Sequence, residues 1–176
     1  MEKLSIRNIL VPIDFSKMSI QAIETAKGLA RRFGGNVHLA HVYQFDYPAG
    51  FMAPGIWSTQ PSIAAQEQHT QVLTKNLGAL AREHSLSPEN CHLSRGAPSF
   101  DEICRIAQQI PADLIVMPTH GYTGLRHVFL GSTAERVVQH SPCPVFVVRP
   151  RKRKSETGRT FTPQTILVPV DFSNSS

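Results

Sequence analysis

Apolar residues recur along this chain with two alternating periods. Ile6 to Ile13 is an apolar run closed by Pro12 and Asp14, the pattern of a strand buried on both faces. Ile20, Ile23, Ala26, Ala30 and Phe33 then recur at helical spacing, with Ser16 or Ser19 as N-cap and Gly34-Gly35 as stop. Val37 to Val42 predicts a second strand, and residues 43–61, rich in Pro, Gly and aromatics, a long loop. A helix is predicted over Ser62 to His84, and a short strand around Cys91-His92-Leu93. Ser99-Phe100-Asp101-Glu102 has the capping-box pattern and announces another helix. Ala112 to Met117 and Pro144 to Val148 read as strands, with a helix over Ala134 to His140 between them. Alternation of this kind implies a parallel sheet covered by helices on both faces. Such sheets bind ligands beyond the carboxyl ends of their strands, where the strand order reverses.

The opening strand occurs twice. Asn8-Ile9-Leu10-Val11-Pro12-Ile13-Asp14-Phe15-Ser16 recurs as Thr165-Ile166-Leu167-Val168-Pro169-Val170-Asp171-Phe172-Ser173. So long a period points to two whole domains rather than to a solenoid. The expected organisation is a domain over residues 1–149, a basic linker over 150–164 and, over 165–176, the first strand of an incomplete second repeat.

Composition narrows the function classes. The chain has 176 residues and an apolar fraction of 41%, enough for a real core. No stretch approaches the roughly 18 consecutive apolar residues of a membrane span, and Met1-Glu2-Lys3-Leu4 shows no signal-peptide pattern, so the expected location is cytoplasmic. Cys91, Cys104 and Cys143 are widely separated, and read as reduced thiols rather than a disulfide framework or zinc site. The net charge of +5 is concentrated in Arg149, Arg151, Lys152, Arg153, Lys154 and Arg159, opposed there by Glu156. A solvated linker is therefore favoured over a tail that contacts nucleic acid or a membrane, and neither is an expected partner.

The most informative stretch is Met117 to Thr133, MPTHGYTGLRHVFLGST. It joins a strand end to a helix start and holds glycines, hydroxyls, two histidines and an arginine, with no carboxylate and no lysine. Backbone N–H groups at such a junction, aided by the helix dipole, favour an anion. Three segments are expected to converge there: Pro12, Ile13 and Asp14; His41-Val42-Tyr43; and the loop after Met117. Asp14 is placed either to accept hydrogen bonds from ribose hydroxyls or to cap the following helix. Ser132-Thr133-Ala134-Glu135 fits a capping box, so the Ser132 hydroxyl serves either its own helix or a phosphate.

Taken together these motifs resemble the universal stress protein family, whose nucleotide signature reads G-x2-G-x9-G-[ST]. Gly121, nine residues, then Gly131-Ser132 fit its second and third elements, while its first glycine falls on Pro118. Val11-Pro12-Ile13-Asp14-Phe15-Ser16, Thr119-His120-Gly121 and Ser141-Pro142-Cys143-Pro144-Val145-Phe146-Val147-Val148 also match, and the repeated opening is similar to the tandem form of the family. The resemblance implies an α/β, doubly wound, five-stranded parallel sheet in the order 3-2-1-4-5. It further implies ATP or AMP as ligand, with magnesium as an optional companion. Pro12, Ile13, Val42 and Met117 would border the adenine and Asp14 would hold the ribose. Gly121, Gly131, Ser132 and Thr133 would hold the phosphates, with Pro118 and His120 in the same binding loop. Pro118 lacks an N–H and restricts Met117 before it. Without a P-loop lysine or a carboxylate in the loop, the expected role is regulatory rather than enzymatic. Pairing through the last strand, as a homodimer or with a second family domain, is the expected assembly.

Overall fold

The computed structural model describes residues 5–44, 63–119, 131–149 and 165–167. Five parallel strands form one sheet: β1 (Asn8–Pro12), β2 (Asn36–Tyr43), β3 (Cys91–Arg95), β4 (Leu114–Pro118) and β5 (Val145–Val148). Their order across the sheet is β3-β2-β1-β4-β5, so the direction of winding reverses between β1 and β4. Four helices connect them: α1 (Lys17–Phe33), α2 (Ile63–Glu83), α3 (Ser99–Gln109) and α4 (Ser132–His140). The expected fold class and strand order are those observed.

The apolar run of β1 follows from its central place. Ile9, Leu10 and Val11 are wholly buried, but they point alternately to opposite faces. Ile9 and Val11 pack with Ala22, Ile23 and Ala26 of α1 and Leu77 and Ala81 of α2. Leu10 packs instead with Ile103 and Ala107 of α3 and Val137 of α4. β4 repeats the pattern, with Val116 on the first face and Ile115 on the second. A strand covered on both sides has no polar face to alternate with, which is why the sequence shows a run rather than a period of two.

Local signals set the ends of α1. The Ser16 side chain accepts from the Ser19 N–H at 3.2 Å, so Ser16 is the N-cap. Ser19 lies inside the helix, and Asp14, the third candidate, accepts the Ser16 N–H at 3.0 Å and shapes the turn before it. Gly34 closes α1 in the left-handed region at φ 72°. Both expected capping boxes are displaced by one residue. Pro98, after a cis Ala97–Pro98 peptide, is the N-cap of α3, and Gly131 is the N-cap of α4; neither start has a side-chain cap. Glu102 is drawn away from the expected box by Ser94, whose hydroxyl donates to it at 2.6 Å, and by Arg105 at 2.7 Å. Thr165, Ile166 and Leu167 form no strand, and Ile166 and Leu167 are 77% and 89% exposed. The remainder of the repeated segment and the basic linker lie outside the described residues.

Two predictions come from the sheet. A Cβ on Gly35 would collide with the Ile6 carbonyl oxygen and stand 2.9 Å from that of Arg7, both backbone atoms with little room to yield. Gly35→Ala is expected to cost about 2 kcal/mol and lower Tm by roughly 5 °C in a thermal melt. On the β2–β3 pair, His38 Nδ1 and His92 Nε2 lie 3.1 Å apart. Burial lowers the pKa of both rings, and for His38 the neighbouring His92 adds to it. The folded protein therefore binds protons less readily at these rings than the unfolded chain does. Their full contribution is present above the ordinary value of 6.5 and is lost as pH falls from there toward the folded values. Melts between about pH 7.5 and pH 5 should show Tm falling on the acid side, with a shallower fall in a His38→Asn/His92→Asn variant.

Candidate functional site

The reversal of winding between β1 and β4 leaves a crevice at their carboxyl ends, and the structure has a cleft of about 290 Å³ there. Its size is close to the lower end of the range of small-molecule sites, roughly 300–1,000 Å³. Nine of the eleven expected site residues line it: Pro12, Ile13, Asp14, Val42, Met117, Pro118, Gly131, Ser132 and Thr133. His120 and Gly121 lie outside the described residues.

The cleft divides by chemistry. Pro12, Ala40, Val42, Ile103 and Met117 give it an apolar end, formed by the ends of β1, β2 and β4 and one face of α3. Ala40 and Val42 reach it together because they share one side of β2. Asp14 stands at the start of the β1–α1 turn. Its backbone N–H meets the Ser19 hydroxyl at 3.4 Å, and one carboxylate oxygen receives the Ser16 N–H. The start of α4 also reaches the lining, through Gly131, Ser132 and Thr133. The first helical bond, from Glu135 N–H to the Gly131 carbonyl at 2.9 Å, leaves the N–H groups of Ser132, Thr133 and Ala134 without intrahelical acceptors. The N-cap is a glycine, with no side chain to satisfy them.

Backbone bonds hold these parts in register. The Ile13 N–H donates to the Ala40 carbonyl at 2.7 Å, and the Ile13 carbonyl meets His41 Nδ1 at 2.7 Å. The His41 ring also packs against Phe15 at 4.7 Å between centroids. Phe15 has φ 59°, a left-handed conformation that costs a residue with a Cβ about 1 kcal/mol. Such outliers persist where surrounding contacts over-determine the backbone, and here the turn presents Asp14. Pro118 ends β4 opposite Val148, so its missing N–H falls at the last ladder position. Beyond it, the Thr119 N–H donates to Val148, and the Thr119 carbonyl accepts the Gly131 N–H at 2.7 Å.

Ser19, Ala40, Ser99, Ile103, Thr119 and Ala134 also line the cleft and were not anticipated as site residues. Ala40 was legible in principle, two residues before Val42 on one strand. Ser99 and Ile103 depend on how α3 crosses the sheet, which no local pattern states. Arg105 and Ser94 brace that crossing through the Glu102 carboxylate, whose pKa is lowered first by the Arg105 bonds and then by the Ser94 hydroxyl.

Comparison with known proteins agrees with this geometry. The model of the universal stress protein family matches residues 5–149. A universal stress protein of Methanocaldococcus jannaschii is 33% identical over 148 residues, spanning 84% of this chain and 85% of its own. The solved universal stress protein UspA of Lactobacillus plantarum is 27% identical, with a TM-score of 0.58 over 84% of this chain and all (100%) of its own. A universal stress protein solved in complex with cAMP shares the fold, at 19% identity and a TM-score of 0.55, over 83% of this chain and 98% of its own. A cleft at the β1–β4 reversal, the sheet order and a family match running from residue 5 to residue 149 lead to one conclusion: the chain belongs to the universal stress protein family.

Proposed function

We propose that the cleft binds an adenine nucleotide, ATP or AMP, and that the protein acts as a nucleotide-responsive regulatory module in the stress response rather than as a catalyst. The observation that carries this reading is the meeting, in one cleft, of an apolar slot, a carboxylate and an uncapped helix start. An apolar slot between strand ends accepts a flat base. A carboxylate at the end of the first strand suits ribose hydroxyls. The free N–H groups of α4 suit a phosphate. The relative solved with cAMP supports a nucleotide as the ligand class.

Turnover needs more than binding. Asp14 is the one carboxylate among the described lining residues. The stretch from Met117 to Thr133 adds no lysine and no acid. Without a second carboxylate among the described lining residues or a P-loop lysine in the stretch, slow or no turnover is expected, and any magnesium would ride on the phosphates. Pro118 favours a second reading, a nucleotide-free interaction scaffold, because it withholds a backbone donor beside the ligand. For assembly we infer pairing through β5, an edge strand whose four residues are all half-buried, with a second copy or a second family domain.

The nucleotide reading predicts adenine nucleotide in the supernatant of denatured purified protein, or a rise in Tm with added ATP or AMP. Ligand at about a hundred times Kd would stabilise by about 2.7 kcal/mol. A Gly131→Ala/Ser132→Ala variant should lose most of that shift. No released nucleotide and no shift in either protein would instead favour the scaffold. Phosphate release from ATP that the Gly131 change abolishes would return the enzyme. Sedimentation should show self-association, and a clean monomer at high concentration would count against pairing through β5.

A further inference from the structure

The cleft's polar side chains are unevenly placed. Ser19, Thr119, Ser132 and Thr133 belong to the first turns of α1 and α4 and to the end of β4. Ser99 alone comes from α3. It is one helical turn before Ile103, so the two share a face of α3 and reach the cleft together. Since α3 follows β3 and returns across the sheet, its first residue stands near the carboxyl ends of the strands, beside the slot formed by Val42 and Met117. Ser99 is half-buried, and its hydroxyl neither caps α3 nor forms a side-chain hydrogen bond among the described residues. A hydroxyl with both donor and acceptor capacity, at the mouth of an apolar slot, is placed for the polar rim of whatever ring enters.

We propose that Ser99 is the specificity-determining contact for the edge of the base, its hydroxyl accepting a hydrogen bond from the exocyclic amine of an adenine held between Val42 and Met117. The assignment rests on the nucleotide reading above and deepens it. Apolar walls measure only the flatness and size of a ring, so they hold purines with and without the amine almost equally well. A hydrogen-bonding group at the rim separates them, because the amine then has a partner that the bare ring does not use. Ser99 is held in place indirectly. The Ser94–Glu102–Arg105 cluster fixes the first turn of α3 against β3, while Phe100 next to it packs on Arg136 and His140 of α4.

The test is a cycle of two proteins and two probes. Titration calorimetry would compare wild type and Ser99→Ala, each with AMP and with purine riboside 5′-monophosphate, which lacks the amine. AMP is expected to weaken roughly three- to tenfold in the variant, while the amine-free probe binds both proteins alike. Ser99→Thr, which keeps the hydroxyl, should retain the preference for AMP over the amine-free probe. Since the hydroxyl carries no internal bond, the melting curve of Ser99→Ala should match wild type. Equal loss for both probes, or no loss for either, overturns the role of Ser99 while leaving the nucleotide reading intact. If wild type binds neither probe, the assignment is overturned, and if added ATP gives no rise in Tm either, the nucleotide reading falls with it.

Discussion

A central strand with water on neither side is the constraint from which the rest of this molecule follows. Ile9, Leu10 and Val11 bury every side chain of the middle of β1, so helices must cover both faces of the sheet. Parallel neighbours reach that strand only through crossovers, and the chain supplies them by winding β2 and β3 to one side and β4 and β5 to the other. The two directions part at β1 and β4, and a cleft is left where no crossover covers the strand ends. The site is thus a geometric residue of the core rather than a separate construction. What the sequence adds there is chemistry: a turn with Asp14, a small residue at position 40 to open the floor, and a helix beginning on glycine.

That division explains which features can be read without coordinates. Strands and helices were legible because their burial periods differ, and the ends of α1 because Ser16 and Gly34 satisfy backbone groups locally. Most residues of β1, β2, β4 and α4 that meet at the cleft were legible from strand and helix ends together with the family resemblance, but Ala40 and Ala134 were not. The two capping boxes were not, since a serine three residues before a glutamate marks a helix start without saying which residue is the cap. At α3 the glutamate has better partners in Arg105 and Ser94, a tertiary fact invisible in the local pattern. Ser99, Ile103 and the His41–Phe15 contact were missed for the same reason: each depends on how one element crosses another.

Phe15 shows how local strain and tertiary contact combine. A left-handed phenylalanine would relax in isolation, but its ring rests on His41, and His41 is tied to the Ile13 carbonyl two residues before it. The three residues form a closed circuit around Asp14. The carboxylate therefore enters the cleft from a backbone already committed to one shape, so less conformational freedom remains to be lost when a ligand arrives.

The hydrogen bond between the Gly131 N–H and the Thr119 carbonyl has a wider consequence. It ties together the two ends of the segment between β4 and α4, so the sheet and the helix receive that segment at a fixed pair of points. Closing a loop whose ends are already joined costs entropy that grows only with the logarithm of its length, about 0.6 kcal/mol for each doubling. The stability of the sheet is therefore expected to depend only weakly on the length of chain that joins these two points. The bond thus separates the sheet from the segment it anchors: a change in the length of the one need not be felt in the stability of the other.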